Sequence, residues 1–515
     1  MWLAVAAVLP AVVLCSETGL TERDRARLLL SRATYGARRG DLEALVAQGT
    51  ANWLDAQLQP ERIKDPVVDA KLARIDNLEL STAELMKKYP RPTREERQAM
   101  QAAREQGTPM LGMRGPRTIL RDLSHAKLVR AVHSERQLHE VMTDFWFNHF
   151  NVYARKNRNT LLALPSYERD AIRPHALGSF QDLLLATAEH PAMLFYLDNW
   201  INTKDGFNPH EVLRTQMGGR RRGRGRAPRD EGESRTFGIN ENYARELMEL
   251  HTLGVDGGYD QQDVVEVARA MTGWSVVGPQ AAKIRERIAR RAGRNRVPAA
   301  LRSMPDEGNF FFNQMAHDES PKTVLGTRID EGGLDDGLQV IRLLSRHPST
   351  ARFISTKLAK RFVSDTPSDA LVNEMSDTFL KTDGDISAVL RTMFLSPRFV
   401  EEGNAGDKVK TPLELVASAM RVTGGDVAGG AVNGPTPAHF VAELGMPLYL
   451  CQPPTGYDED ASAWLSAGSV LTRVRFAGAL ASGNVAGLRL PEQYEPREGA
   501  PELALLLASP DFQRQ

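Results

Sequence analysis

The chain contains 515 residues, of which 42% are hydrophobic and 25% are charged, a composition that fits an ordinary globular protein with a large core. Lys plus Arg and Asp plus Glu both number 65, so the formal net charge is zero, and a general nucleic-acid binder is disfavoured because such proteins carry excess positive charge. The two cysteines, Cys15 and Cys451, are too few for a disulfide framework.

The N-terminal residues form an apolar run that suits a signal peptide. Met1–Leu14 lacks charged residues, including the usual positive start, and the sequence turns polar at Ser16. The run is shorter than the roughly 20 residues of a membrane-spanning helix, so we predict that residues 1–16 are a signal peptide and that the protein is exported, to the periplasm or the cell exterior. A lipid anchor at Cys15, which the large Leu14 disfavours, and a buried N-terminal helix are the alternatives. No later apolar run is long enough for a transmembrane helix.

Helical periodicity dominates the rest of the chain. Apolar residues recur every three or four positions in residues 21–60 and again in residues 137–150, where His149 shares the apolar stripe. Two helices are predicted in residues 179–198, with a break before Pro191. Further helices are predicted over residues 337–346, 349–365, 368–380, 385–395, 412–422 and 467–481. Since period-two alternation is scarce, these patterns predict a mainly α protein.

Charged or Gly-rich stretches interrupt the helical pattern and are predicted to be flexible insertions, over residues 87–117, 204–237, 277–308 and 423–436. The Arg-Gly run at 218–226 resembles an RNA-binding segment. Acidic residues follow it, however, and no aromatic stacking partner occurs before Phe237, so a disordered insertion is favoured and no nucleic-acid partner is expected. Because the insertions separate the motif segments, we expect residues 17–515 to form an irregular multi-helix single domain.

Residues 239–274 carry the densest set of structural signals and predict a helical hairpin. Asn240 can cap the start of the first helix, and Gly254 is placed to end it in a left-handed conformation. Gly257 and Gly258 then turn the chain. A second helix begins after Asp260, which is followed three positions later by Asp263, and ends at Gly273.

A helical wheel of the first hairpin helix separates a polar face from an apolar face that contains His251. The polar face has two interpretations. It is a solvated face in which Glu241/Arg245 and Arg245/Glu249 pair at i,i+4 spacing, which is the usual fate of charged faces. Alternatively, it is an inter-helix polar site. The residues of that candidate site are Asn242, Arg245, Glu246 and Glu249.

Two inward-facing histidines raise the hypothesis of a metal site. His149 and His251 both project from apolar helix faces, and His317 and Asp318, in a predicted loop before Pro321, could complete three or four ligands for a divalent metal. A single histidine on an apolar face is more often a hydrogen-bonded core residue.

Known metalloprotease and nucleotide-binding motifs are incomplete in this chain. His139-Glu140 and His210-Glu211 begin a zinc motif but lack its second histidine, because Thr143 and Arg214 occupy that position. Neither a Gly-x-Ser-x-Gly elbow nor a phosphate-binding loop is present.

Several segments together resemble one bacterial family, domain of unknown function 1800. The resemblance runs from about residue 20 to the C-terminus and is carried by Leu-Leu-Ser-Arg-Ala-Thr-Tyr-Gly (29–36), Phe-Trp-Phe-Asn-His-Phe (145–150), Asn-Glu-Asn-Tyr-Ala-Arg-Glu-Leu-Met-Glu-Leu-His-Thr-Leu-Gly (240–254), Ala-Arg-Ala-Met-Thr-Gly-Trp (268–274), His-Asp-Glu-Ser-Pro-Lys-Thr-Val-Leu-Gly (317–326) and Lys-Leu-Ala-Lys-Arg-Phe-Val (357–363). Residues 453–457, Pro-Pro-Thr-Gly-Tyr, depart from the family's Pro-Pro-x-Gly-Trp. The resemblance implies export and a genetic neighbour that resembles alkaline phosphatases and sulfatases, but no reaction.

Three functional hypotheses follow. The first is a binding or assembly protein of the cell envelope that acts with a phosphatase- or sulfatase-like partner, since catalytic motifs are missing. The second is a metal-dependent hydrolase or oxidase that uses the inward-facing histidines. The third is carbohydrate or polymer binding through tryptophans that more often pack the core, namely Trp146, Trp200, Trp274 and Trp464.

Overall fold

Helices carry most of the regular structure in the computed structural model, which describes residues 21–105, 115–208, 237–278, 290, 304–403, 408–428, 433–492 and 501–515. The helices of the N-terminal half are α1 (Glu22–Ala33), α2 (Asp41–Gln48), α3 (Thr50–Gln57), α4 (Pro66–Leu72), α5 (Thr82–Lys88), α6 (Arg94–Glu105), α7 (Arg117–His133), α8 (Gln137–His149), α9 (Arg158–Ser166), α10 (Phe180–Glu189) and α11 (Pro191–Tyr196). A π-helix, Tyr167–Ile172, continues α9.

The second half has the same character. Its helices are α12 (Asn242–Glu246), α13 (Gln261–Ala270), α14 (Leu334–Ser345), α15 (Pro348–Phe362), α16 (Asp369–Lys381), α17 (Ile386–Leu395), α18 (Pro397–Gly403), α19 (Pro412–Val422), α20 (Pro437–Glu443), α21 (Ala467–Ala481), α22 (Pro501–Ala508) and α23 (Pro510–Gln513). No helix in the described ranges is long and apolar enough to cross a membrane.

The strands are short and form antiparallel pairs. These are β1 (Trp274–Val276) with β2 (Phe310–Phe312), β3 (Lys322–Val324) with β4 (Thr327–Ile329), and β5 (Asp426–Val427) with β6 (Leu488–Arg489). In the first pair Trp274 lies opposite Phe312. The prediction of a mainly α fold is confirmed.

One cluster of buried apolar side chains runs through the described part of the chain, from Ala26 in α1 to Leu507 in α22. The caps that fix the helices around it follow local sequence. Asp260 accepts a hydrogen bond from the backbone N–H of Asp263 in a capping box at the start of α13, and Ser368 and Asp385 cap α16 and α17. The predicted break before Pro191 separates α10 from α11.

The first hairpin helix differs from its prediction. α12 ends at Glu246, and residues 247–252 form a π-helix, in which the Leu253 N–H bonds the Met248 carbonyl five residues back. The Thr252 hydroxyl donates a hydrogen bond to the Leu247 carbonyl, which is also five residues back, and this bond supports the wider π-helical turn. Gly254, as predicted, has a left-handed φ of 81°.

The predicted insertions are described only in part. Residues 94–105 of the first one form the helix α6, although their sequence shows no apolar period, because several Arg and Glu residues in a helix can remain exposed on all sides. Residues 106–114, 209–236, 279–289, 291–303 and 429–432, and the predicted signal peptide at 1–16, lie outside the described residues.

Candidate functional site

His149 and His251 meet in the core, as neighbours in an aromatic cluster. The His149 Nε2–H donates to the backbone carbonyl of His251 at 3.1 Å, and the two ring centroids are 6.2 Å apart. Burial lowers the pKa of His149 well below its ordinary value, and burial followed by the charge of Lys357 lowers the pKa of His251 to about 3. Both rings are therefore neutral at pH 7. The Nδ1 atom of each is buried, with no hydrogen-bond partner in the part of the chain that the structure describes.

His317 and Asp318 have separate partners. His317 Nδ1–H donates to the Thr272 carbonyl at 2.8 Å, while its Nε2 lies 3.2 Å from Asp336 Oδ2. Asp318 accepts a hydrogen bond from Arg269 Nε at 2.8 Å. Burial alone would raise the pKa of Asp318, but the hydrogen bonds from Arg269 and Ser320 lower it to about 2.

The four candidate ligands thus form two separate groups. His149 and His251 contact each other, whereas His317 and Asp318 are hydrogen-bonded to Thr272 and Arg269. Within the described ranges, no group of three or more His, Cys, Asp and Glu residues is placed to hold a metal ion. Hydrogen bonds to backbone carbonyls account for one ring nitrogen of His149 and one of His317, as expected for core histidines.

The polar face of residues 242–249 is mostly accounted for by local contacts. Arg245 pairs with Glu241 at 3.0 Å, which confirms the first predicted i,i+4 pair, and it also donates to Gln261 rather than to Glu249. Asn242 donates to the Leu197 carbonyl at 3.1 Å. Glu246 and Glu249 make no hydrogen bond or ion pair within the described residues, and burial, with the neighbouring Glu249, raises the pKa of Glu246.

Asparagines that sequence reasoning missed connect the motif segments to each other. Asn148 donates to the Tyr457 carbonyl at 2.8 Å and accepts from the Tyr457 N–H at 2.7 Å. Asn151 donates to the carbonyls of Cys451 and Pro453 at 3.0 and 2.7 Å. Gly456 has a φ of 77°, and a Cβ there would lie 2.3 Å from the Asn148 carbonyl oxygen, so glycine is required.

A second asparagine pair binds the segment 268–274. Asn199 donates to the carbonyls of Met271 and Trp274, and Asn202 donates to the carbonyl of Ala268 at 2.8 Å. Both side chains are 1% exposed. Polar residues inside an aromatic-rich segment, such as Asn199 beside Trp200, were the only sequence signal for this role. Two segments that carry the family resemblance, 145–150 and 268–274, are therefore anchored to distant parts of the chain by asparagine side chains.

Three of the four tryptophans also belong to the core. Trp146 and Trp274 are fully buried and Trp464 is 5% exposed, whereas Trp200 is 41% exposed. Trp146 donates its indole N–H to the Ala176 carbonyl at 2.9 Å. They therefore offer no shared aromatic surface for a carbohydrate.

A buried network of charges lies close to this core. Arg173 pairs with Glu140 at 2.7 Å and with Glu168 at 3.3 Å, and Lys127 pairs with Asp144 at 2.6 Å. Burial would raise the pKa of Glu168, but Lys127, Arg173 and Arg130 lower it to about 2. The cavity beside these residues measures about 10 Å³, room for one water molecule, so no larger ligand fits there.

A large concave surface lies elsewhere and is basic. This basic groove has a volume of about 1980 Å³ and is formed by residues from α4 to α5, the start of α7, residues 154–161, the β5–β6 pair and the start of α20. Its charged lining among the described residues comprises Lys71, Arg74, Lys88, Arg117, Arg121, Arg155, Arg158 and Arg489 with Asp76, Asp122 and Asp426. Eight cations thus face three carboxylates in a chain with no formal net charge.

Only part of this positive charge is neutralised locally. Lys71 pairs with Asp426 at 2.5 Å, Arg121 lies 3.2 Å from Asp122, and Lys88 donates to the Asn77 side chain. Five arginines have no side-chain hydrogen bond or ion pair to any described residue, namely Arg74, Arg117, Arg155, Arg158 and Arg489.

Arg158 is the least solvated of the five. Its Nη2 is buried without an acceptor among the described residues, and burial, with the nearby Arg91, lowers the pKa of its guanidinium, which still remains charged at neutral pH. A buried donor without a partner costs free energy, which an anion in the groove would recover.

No motif in the sequence marks this groove. Its cations are distributed from Lys71 to Arg489, and no local run combines more than a few of them. The two basic runs that do stand out, at 218–226 and 283–296, lie outside the described residues except for Arg290. Only the tertiary structure brings the groove residues together.

The comparisons with known proteins agree with the motif evidence. The family model described as protein of unknown function (DUF1800) matches residues 28–510. No curated protein and no solved structure matches the chain. Since the family model spans nearly the whole sequence, from within α1 to the start of α23, this protein belongs to the DUF1800 family.

Proposed function

We propose that this protein binds ligands that carry phosphate or sulfate groups, and that the basic groove is the binding site. The observation that carries the proposal is the set of five arginines around one large cavity that have no acceptor among the residues that the structure describes. Guanidinium groups bind phosphate and sulfate oxygens through two parallel N–H donors, which makes arginine the preferred side chain for such anions.

The backbone adds to the positive potential. The basic groove contains the first turn of α7, at Arg117 and Thr118, and the start of α9, at Asn157 and Arg158. The N-terminus of a helix carries partial positive charge and unpaired N–H groups, and both favour a bound anion. Asn157 already accepts the Thr160 N–H, so α9 contributes mainly through its dipole.

The proposal includes export and a partner in the cell envelope. The apolar run at residues 1–14 supports export. Phosphatase- and sulfatase-like enzymes cleave phosphate and sulfate esters, the anions that suit the basic groove. We therefore place the protein beside such an enzyme, as the component that retains its anionic substrate or product.

The groove is tested by removing positive charge from its rim. In the triple variant Arg74→Gln/Arg155→Gln/Arg489→Gln all three side chains are exposed and unpaired to described residues, so folding should be unaffected. A matched control, Arg27→Gln/Arg39→Gln/Arg398→Gln, removes the same charge from exposed positions outside the groove.

Calorimetry measures the affinity of the full chain for inorganic sulfate and for glucose 6-phosphate at low ionic strength. The groove variant should lose at least about tenfold in affinity, since it loses three charge-assisted contacts, while the control should match the wild type. Equal losses in both variants, or no binding by the wild type, would refute the proposal.

Export has its own test. N-terminal sequencing of the protein from an envelope fraction should begin at residue 17 if the predicted signal peptide is removed. A full-length protein that starts at Met1 in the cytoplasmic fraction would contradict export. It would not contradict anion binding by the basic groove.

A further inference from the structure

We infer that the ligand of the basic groove is a linear anionic polysaccharide that carries sulfate or phosphate esters at intervals. This inference rests on the proposed function and specifies its substrate class. It draws on three observations of the described lining residues: the size of the groove that they enclose, the distribution of the cations that are unpaired among them, and the scarcity of aromatic side chains.

The size of the groove exceeds what one small anion requires. Pockets for small molecules commonly measure about 300–1,000 Å³. The basic groove, at about 1980 Å³, is well above that range. A single phosphate or sulfate group would leave most of this space to solvent, whereas several consecutive sugar units would fill it.

The unpaired arginines come from four separate places in the chain. Arg74 precedes the short 3₁₀ turn after α4, Arg117 opens α7, Arg155 and Arg158 flank the start of α9, and Arg489 ends β6. Like charges gathered in one cavity repel each other, so a ligand is most effective when it offers an anionic group to each of them. A polymer with repeated charges meets this condition.

One carboxylate of the groove, Asp76, favours a ligand that also donates hydrogen bonds. The exposed Asp76 side chain makes no hydrogen bond within the described part of the chain, whereas Asp122 already accepts from Asn77 and Arg121, and Asp426 accepts from Lys71. Sugar hydroxyl groups can donate to this carboxylate, while the phosphodiester backbone of DNA offers acceptors only.

Nucleic acid is the competing polyanion, and the lining disfavours it. Proteins that bind single strands stack bases on several aromatic side chains. Tyr89 is the one Phe, Tyr or Trp among the described lining residues. Its hydroxyl donates to Asn77 at 3.1 Å, and the Lys88 ammonium lies 5.8 Å from its ring centroid, so both its edge and its ring are already in contact with other groups.

The experiment compares ligands of equal chemistry and increasing length. The full chain would be titrated with size-defined dextran sulfate fragments, with glucose 6-sulfate as the single unit, with uncharged dextran, and with oligothymidylate of matched charge. Affinity should rise at least about tenfold from the disaccharide to the octasaccharide and fall more steeply with salt as length increases, because each added contact releases counterions.

The two arginine triple variants separate groove binding from a general charge effect. The long fragments should lose more affinity in the Arg74/Arg155/Arg489 variant than glucose 6-sulfate does, while the Arg27/Arg39/Arg398 control should behave as the wild type. Uncharged dextran should not bind.

The possible outcomes separately test the length of the ligand, its polysaccharide nature and anion binding itself. If glucose 6-sulfate binds in the groove and length brings no gain, the polymer inference is overturned and the proposed anion-binding function stands. If oligothymidylate binds as tightly as the matched dextran sulfate, the polysaccharide assignment is wrong. If no anion of any length binds, the inference and the proposed function both fail.

Discussion

The buried ion pair between Lys322 and Asp336 gives the sharpest prediction about stability. Both side chains are 1% exposed. Asp336 accepts hydrogen bonds from the Lys322 ammonium and from the Gly332 N–H, the latter at 2.6 Å, and lies 3.2 Å from His317 Nε2. The substitution Asp336→Asn keeps the shape of the side chain but removes its charge, so the Lys322 ammonium remains in the core without a counter-ion.

Removing one partner of a buried ion pair costs about 3–5 kcal/mol, because the remaining charge is uncompensated in a medium of low polarity. We expect Asp336→Asn to lie in this range, a large share of the roughly 5–15 kcal/mol by which a domain is stable. Replacing both partners with apolar residues of similar volume, Lys322→Met/Asp336→Leu, should cost less than the single substitution, because no buried charge is left.

Urea unfolding followed by circular dichroism and tryptophan fluorescence measures these differences. The control is Asp330→Asn, which breaks a pair with Arg328 of 2.6 Å whose side chains are 69% and 47% exposed, and which should change stability by less than about 1 kcal/mol. If Asp336→Asn is as mild as Asp330→Asn, pairing of the buried Lys322 charge is not what stabilises this region.

Three further predictions concern the core and the motif contacts. The pKa of His251 and that of His190 are lowered by burial to about 3 from an ordinary 6.5, so the unfolded chain takes up protons first as the pH falls. Each histidine should therefore remove roughly 1.4 kcal/mol of stability per pH unit below about pH 6.5, and a stability profile that is flat between pH 6.5 and 4.5 would contradict this. Gly456→Ala should destabilise the protein by at least about 2 kcal/mol, because its Cβ would clash with the Asn148 carbonyl and its φ is positive. Thermal unfolding measures this loss. Gly258→Ala is the control, since Gly258 also has a positive φ but its Cβ would meet no atom, so the difference between the two variants is due to the clash. Glu241→Gln should change the free energy of unfolding by less than about 1 kcal/mol, because both partners of its pair with Arg245 are more than a third exposed, and a larger loss in urea unfolding would assign the polar face a further role.

The sequence predicted the helical segments well where the signals were local. Residues 412–422 and 467–481 form helices with the predicted bounds. Asp260 and Gly254 act as the predicted start and end signals of the hairpin helices. Such signals involve a side chain and backbone groups within about four positions, so they do not depend on the remainder of the fold.

The same reasoning placed His149 and His251 inside the protein but could not identify their partners. Burial followed from the apolar stripe of each helix. The contact between His149 and the His251 carbonyl spans 102 positions in the sequence, and the π-helix that positions His251 depends on hydrogen bonds which periodicity does not reveal. The metal hypothesis combines His149 and His251 with His317 and Asp318. Helical periodicity indicates which side chains face the core, but it does not give the distances between side chains of different segments.

The basic groove was beyond prediction for a related reason. A formal charge of zero for the whole chain conceals how that charge is distributed in space. The sequence by itself determined which of the strongly periodic segments become helices, which side chains turn inward, and which family the chain resembles, because these depend on neighbours along the chain. Only the tertiary structure decided that Asn151 and Asn202 bind distant backbone carbonyls, that Lys322 needs Asp336, and that Arg74 and Arg489 line one cavity, because those energies arise between groups that the sequence keeps far apart.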